Sequence, residues 1–236
     1  MLANPARPRI ALLGRFAEGT TATRSGAIVT ARLLAESIWN AGGDPITLLP
    51  SGDHDWATRL AGFQGVLMPG GADIDPHLYG QEPSSDELYG IDSVQDADDL
   101  SLTKWAIANQ VPFLAICRGF QMANVAFGGT LIQHMANDHR HVVHQLRIDS
   151  DLDRLGLTAD VVESSCYHHQ AIDRLGEGLR VIARAELGHV EAFAIENGGW
   201  AYGVQWHPED NAASDKHQAE LFGRFVREAA ASKPIA

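Results

Sequence analysis

Cys117 stands between two patterns of different kind. Phe113-Leu114-Ala115-Ile116 is an unbroken apolar run that reads as a buried strand, and Phe120, Ala123, Val125 and Phe127 begin a helical pattern just beyond it. A thiol on a sharp strand-to-helix turn is lifted clear of the sheet, and Gly119 lets the backbone pass closely there. The N-terminus of the following helix favours the thiolate, and its free amides can hold a developing oxyanion. The chemistry that fits is nucleophilic attack by sulfur. A buried structural cysteine is the other reading of a lone thiol. The turn position and the neighbouring Arg118 weigh against it.

A thiolate nucleophile needs a base, and the base needs a group that orients it. Among 11 histidines, His207 has the most telling surroundings. In Gly203-Val204-Gln205-Trp206-His207-Pro208-Glu209 an apolar strand ends at Trp206, and Pro208 stops further pairing. Glu209, two residues on, would project to the same side of an extended segment. Open parallel sheets gather functional groups at the carboxyl ends of their strands, which would bring Cys117 and His207 together. The alternative is a histidine closing a strand beside a solvated glutamate. Trp206 is expected to pack behind the base.

Other candidates are weaker. Asp73, Asp75 and His77 raise the question of a metal, but they lack the rest of a calcium loop or of a hydrolytic zinc site. They read as loop carboxylates that cap turns or border a pocket. His134, His139, His141 and His144 lie in a histidine-rich stretch with no helical i, i+4 pair, expected as a solvated loop or interface edge. Cys166 is not on a strand-to-helix turn, so a second reactive thiol is disfavoured. No metal and no cofactor is expected.

The elements that must position these residues follow an α/β rhythm. Ile10–Gly14, Ile46–Leu49, Gly65–Met68 and Phe113–Ile116 read as strands. Helices are expected over Gly26–Trp39, with Ile28, Leu33, Leu34 and Ile38 on the apolar side, near Asp55–Ala61, and over Ala97–Ala108. Asp75–Asp92, rich in Pro, Gly, Ser and acid, reads as a long surface loop. This alternation predicts a mostly parallel central sheet flanked by helices. In the second half, short strands over Val142–Ile148, Val161–Ser165, Leu179–Ala185, Val190–Ile195 and Tyr202–Trp206 suggest a small antiparallel extension. A helix over Ser214–Ala230 closes the pattern. Residues 1–236 carry no linker or repeat, so a single domain is expected.

Composition narrows the function. Lys and Arg total 18 against 30 Asp and Glu, a net charge of −12, which argues against nucleic acid and anionic membrane as partners. Two cysteines are too few for a disulfide framework. The sequence has no apolar run long enough for a membrane span and no secretory signal pattern, so a cytoplasmic chain is expected.

Taken together, these stretches resemble the class I glutamine amidotransferases, and within them the peptidase C26 or γ-glutamyl-γ-aminobutyrate hydrolase branch. The resemblance rests on Met68-Pro69-Gly70-Gly71-Ala72-Asp73-Ile74-Asp75-Pro76-His77-Leu78-Tyr79-Gly80, Ile116-Cys117-Arg118-Gly119, Asn124–Leu131, His168-His169-Gln170-Ala171-Ile172 and the Trp206-His207-Pro208-Glu209 segment. It spans nearly the whole chain. It implies a flavodoxin-like fold, with Cys117 as nucleophile, His207 as base and acid, and Glu209 as the carboxylate that fixes the imidazole. Amides of Gly70 or Gly71 and of Arg118 would form the oxyanion hole. Gln121, Tyr167, His168 and His169 would line the glutamyl pocket. Ser165 and Cys166 stand where the branch commonly has Asn-Ser. The implied partner is a small-molecule γ-glutamyl amide, and the chain is open to homo-oligomer formation. A glutaminase subunit delivering ammonia to a synthase is the rival reading, and a non-enzymatic binding protein a more distant one.

Overall fold

The computed structural model describes residues 6–137 and 139–236. The first half of the chain runs β1 (Arg9–Leu13), β2 (Arg15–Ala17), β3 (Ala27–Val29), α1 (Arg32–Asn40), β4 (Asp44–Leu48), α2 (Trp56–Arg59), β5 (Gly65–Met68), α3 (Ser93–Ala108), β6 (Phe113–Ile116) and α4 (Arg118–Ala126). There follow β7 (Leu131–Ile132), β8 (Val142–Arg147), α5 (Leu152–Leu155), β9 (Val161–Cys166), β10 (Ala171–Ile172), β11 (Leu179–Arg184), β12 (Val190–Ile195), β13 (Ala201–Val204), α6 (Pro208–Asn211) and α7 (Lys216–Ala231). Seven strands form one sheet in the order β11-β12-β13-β6-β5-β1-β4. From β13 to β4 the strands are parallel, and β12 and β11 extend the sheet antiparallel. This is the expected mostly parallel α/β sheet with its small antiparallel extension.

Burial explains why the parallel strands are apolar without interruption. Ile10, Leu12, Leu67, Leu114 and Ile116 face one core with Leu34, Ile38, Phe222 and Phe225 from α1 and α7. Their alternates Ala11, Leu13, Val66, Met68, Phe113 and Ala115 face a second core with Leu102 and Ala106 from α3. A sheet covered on both faces needs apolar side chains at every position.

Two expectations need correction. The helix expected from Gly26 begins only at Arg32, because Ala27–Val29 pairs with Arg15–Ala17 as a ribbon. β-branched Ile28 and Val29 suit that strand better than a helix, and Ile28 and Leu33 are exposed rather than inward-facing. The Asp44-Pro45 pair opens β4, the edge strand, where a missing amide donor is tolerated. Finally, Asp75–Asp92 is not wholly a surface loop, since Pro76–Tyr79 makes a helical turn capped by Asp75 with Pro76 and Tyr79 buried.

One glycine is fixed by contact. A methyl group at Gly119 would lie 2.3 Å from the carbonyl oxygen of Met68. Met68 ends β5, which is paired on both sides and cannot retreat. Gly119→Ala is therefore expected to destabilise the fold by about 3 kcal/mol, read from the midpoint of denaturant unfolding. An unchanged midpoint would show that the turn before α4 is more pliable than its packing implies.

Candidate active site

Cys117 occupies the single residue between β6 and α4, with φ 51° and ψ −108°. Such a backbone costs a non-glycine residue on the order of 1–3 kcal/mol and persists only where neighbours over-determine it. Here its amide donates to the Val204 carbonyl at 2.9 Å, and its carbonyl accepts from the Gln121 amide at 3.1 Å. The conformation turns the thiol off the sheet edge at the start of α4.

The histidine arrives by the topology anticipated. Because β13 lies parallel to β6, with Val204 opposite Ile116, the chain beyond Val204 emerges beside Cys117. The His207 amide donates to the Ser165 carbonyl at 2.7 Å, and Nδ1–H donates to Glu209 Oε1 at 2.8 Å. The local geometry differs from expectation. Pro208 starts the short helix α6, so Glu209 reaches the imidazole from a first helical turn and not along an extended strand. The other side of the ring lies toward Cys117, with His207 Cε1 and Nε2 and Cys117 Cβ all beside Gly70. Burial works against a charged imidazole, but the thiolate and the Glu209 carboxylate outweigh it and raise the His207 pKa to about 11. A protonated imidazolium beside Cys117 is the state this arrangement favours.

The loop after β5 forms the roof. A methyl on Gly70 would lie 3.0 Å from His207 Cε1 and 3.6 Å from Cys117 Cβ, so the main chain closes directly on the pair. Arg15 holds this loop from below, its Nε donating to the Gly70 carbonyl at 2.7 Å and one terminal nitrogen to the Pro69 carbonyl at 2.6 Å. The same guanidinium grips both oxygens of Asp99 at 2.9 Å. The Arg118 side chain turns away from the thiol to pair with Asp96 and Asp99. Burial lowers both arginines to about 9, and it raises the Asp96 carboxyl. Charges this deep are tolerable only because they are mutually paired.

The facing wall is polar. Asp73 accepts from the Tyr89 amide at 3.0 Å and faces His169 Nε2 at 3.1 Å, and burial raises its pKa. Tyr89 lies over the His169 ring with centroids 5.8 Å apart. Thus Asp75 caps a turn, while Asp73 is held between Tyr89 and His169. Tyr167 is about half exposed and meets His141 edge-on. Gln121 and His168 are buried with their side chains engaged elsewhere. Gln121 Nε2 donates to Gln205 Oε1 at 3.1 Å. His168 Nδ1–H donates to the Gln170 carbonyl at 2.9 Å, and burial pushes its pKa down to about 3. Cys166 is buried too, its thiol 3.5 Å from His144 Nε2 and its pKa raised by burial. Trp206 packs behind His207 as expected and donates to Gln218.

Residues 10–209 match the Peptidase C26 family model. The chain belongs to the Peptidase C26 family. It is 35% identical to a Mycobacterium tuberculosis protein that carries a provisional glutamine amidotransferase name, over 74% of this chain and 60% of that one. The C26 chain thus spans about 60% of that relative's length. It is 28% identical to the γ-glutamyl-γ-aminobutyrate hydrolase PuuD of Escherichia coli K12, over 80% of this chain and 82% of the other. The crystal structure of a glutamine amidotransferase from Thermotoga maritima has the same fold, with a TM-score of 0.67 at 14% identity over 96% of this chain and 99% of that one. Membership of the C26 family puts the chain among hydrolases. No helix of the described residues is long and apolar enough to cross a membrane.

Three residues of this C26 site escape a reading of the sequence. Arg15 follows β1 and carries no motif, while Asp96 and Asp99 sit in an acidic run that looks solvated. The one available signal is that Asp96 and Asp99 lie three apart on a helix, a spacing that puts both on one face. The histidine-rich stretch needs the opposite correction. His134 and His141 are exposed, but His139 is buried, because its amide donates to the His168 carbonyl at 2.8 Å and draws it under the sheet edge.

Proposed function

We propose that this chain hydrolyses the γ-glutamyl amide bond of γ-glutamylamines, such as γ-glutamyl-γ-aminobutyrate, through a thioester on Cys117. The observation that carries the proposal is His207 hydrogen-bonded to Glu209 on one side, with the rest of its ring beside Cys117 under the Gly70 backbone. In the reaction, Cys117 Sγ bonds to the γ-carbonyl carbon, and the carbonyl π electrons move to oxygen. The backbone amides of Gly70, Gly71 and Arg118 are the proposed donors to that oxyanion. The C–N bond then breaks as His207 gives its proton to the leaving nitrogen. Next, water gives a proton to His207 and attacks the thioester, and the C–S bond breaks to release glutamate and restore the thiolate. Glu209 is a positioning residue that fixes the ring and its tautomer. His169 and Tyr167 would face the glutamyl group, while Gln121 and His168 support that wall from behind.

Two features support an amine conjugate as substrate. One is the relationship to a protein named for hydrolysing such a conjugate. The other is a cleft of about 490 Å³ on the His207 side, lined in part by Val29, Leu33, Leu34, Pro69 and Gly70. An aliphatic leaving amine would be covered there, next to the acid that protonates it.

The test measures glutamate release by the purified chain from glutamine and from γ-glutamyl conjugates of short aliphatic amines. The conjugates are expected to exceed glutamine by at least about 10-fold in kcat/KM, the discrimination that one or two methylenes in an apolar pocket provide. A preference for glutamine, rising when a partner synthase is added, would replace this proposal with the ammonia-donating reading that the names of other relatives favour.

A further inference from the structure

A second cluster of titratable side chains lies around β12 and shares only His168, a residue behind the pocket wall, with the proposed site. Glu191, on β12, is fully buried. His189, from the β11–β12 turn, approaches its Oε1 to 2.9 Å; His168 Nε2 lies 3.6 Å and His139 Nδ1 3.8 Å from the same oxygen. The ligand atoms of these four residues all lie within 4.8 Å of one another.

The orientation of the donors and acceptors is the telling point. His168 gives its Nδ1 proton to the Gln170 carbonyl, which leaves a bare lone pair on Nε2. That lone pair faces a carboxylate oxygen. Neither Glu191 oxygen receives an aligned hydrogen bond from the described residues, and neither His168 Nε2 nor His189 Nε2 makes one. Buried acceptors turned toward each other repel unless something positive sits between them. A ring nitrogen aimed inward while its partner donates to a backbone carbonyl is also how proteins orient an imidazole for metal binding. Tetrahedral zinc holds its nitrogen and oxygen ligands about 3.3 Å apart, and the three separations from Glu191 Oε1, 2.9–3.8 Å, bracket that value.

We propose that His139, His168, His189 and Glu191 bind one divalent transition-metal ion of the zinc class. Three imidazoles and one carboxylate suit such an ion and not magnesium or calcium, which take oxygen ligands. His144 and Cys166 flank the site, on a second grouping that shares His139 and Glu191. The ion would join the segment before β8, the segment after β9 and the start of β12. Its effect would reach the His207 backbone, because the Ser165 carbonyl that receives the His207 amide lies three residues before His168. The inferred role is structural: to hold residues 165–170 against the sheet edge.

The experiment uses the full chain carrying Cys117→Ala, so that the nucleophilic thiolate cannot capture the metal. After removal of metal by a chelator, Zn²⁺ is titrated calorimetrically, and Co²⁺ serves as a visible probe of coordination. One equivalent of Zn²⁺ is expected to bind and raise the Tm in a concentration-dependent way. Co²⁺ should give the intense visible bands of a tetrahedral site without the strong thiolate-to-metal band that Cys166 ligation would add. Glu191→Gln and His189→Ala should each weaken Zn²⁺ binding by about 100-fold or more, above the loss typical of second-layer partners. His189 sits on an outer turn, so the second variant decides the matter if Glu191→Gln fails to fold. Absence of binding, or binding unchanged in His189→Ala, would overturn the proposal in favour of a proton shared between Glu191 and the imidazoles. Neither readout depends on turnover, so the metal site and the proposed hydrolysis stand or fall separately.

Discussion

Cys117→Ala is expected to lower glutamate release from γ-glutamylamines by about 10⁴-fold or more, the scale seen when a nucleophile acting as part of a unit is removed. The variant loses only a sulfur atom, so its unfolding free energy should change by about 1 kcal/mol. Residual turnover would come from the oxyanion donors and from binding alone. Mass spectrometry during turnover supplies a second check. A glutamyl adduct should accumulate on the wild-type chain under rapid acid quench and be missing from the variant. A rate within 10-fold of wild type, measured on folded Cys117→Ala protein, would rule out sulfur as the attacking atom.

Glu209→Gln is expected to reduce kcat/KM by about 10³–10⁴-fold, as when the orienting carboxylate of a triad is neutralised and the imidazole loses its tautomer. Its pH dependence separates this role from a merely structural one. In the wild-type chain, burial opposes the charge on His207, while Cys117 and Glu209 raise its pKa to about 11. The imidazolium therefore persists through neutral pH and is lost only as pH rises toward that value, so the alkaline limb of kcat/KM should lie well above the usual histidine range. Removing the carboxylate leaves burial and the thiolate in opposition, and the limb should move to lower pH. A wild-type limb near the ordinary histidine pKa of about 6.5 would contradict the ion pair. A limb that stays put in Glu209→Gln would show that Glu209 does not set the charge on His207.

The parts of this site that were legible in the sequence are those whose cause is local. An apolar run, a cysteine, a glycine two residues later and a helical pattern describe a turn with little freedom, and Cys117 is found in it. The segment from Gly203 to Glu209 is similar in kind, although the helix that begins at Pro208 changes how Glu209 reaches the ring. What was hidden depends on pairs far apart in the chain. Arg15 and Asp99 are separated by 84 residues, and neither residue type suggests burial by itself. The acidic run on α3 also conceals Asp98, which accepts from the Ser51 amide at 2.8 Å and the Gly52 amide at 3.1 Å and so caps a distant loop. Likewise, the histidines near Glu191 come from separate segments, and no spacing along the chain marks them as neighbours. Ala27–Val29 reads as helix from sequence because a three-residue ribbon is too short for alternation to outweigh the helical pattern that follows.

The strand that completes the centre of the sheet is supplied late. β13 enters beside β6, and the Val204 carbonyl takes the Cys117 amide. While the chain is being made on a ribosome, β6 therefore has an open edge and its cysteine has no imidazole until residues 201–207 have emerged. Joining of such distant segments is slow, and in that interval oxidation of the thiol and edge-to-edge association compete with maturation. The nascent protein thus lacks its Cys117–His207 pair through most of its synthesis.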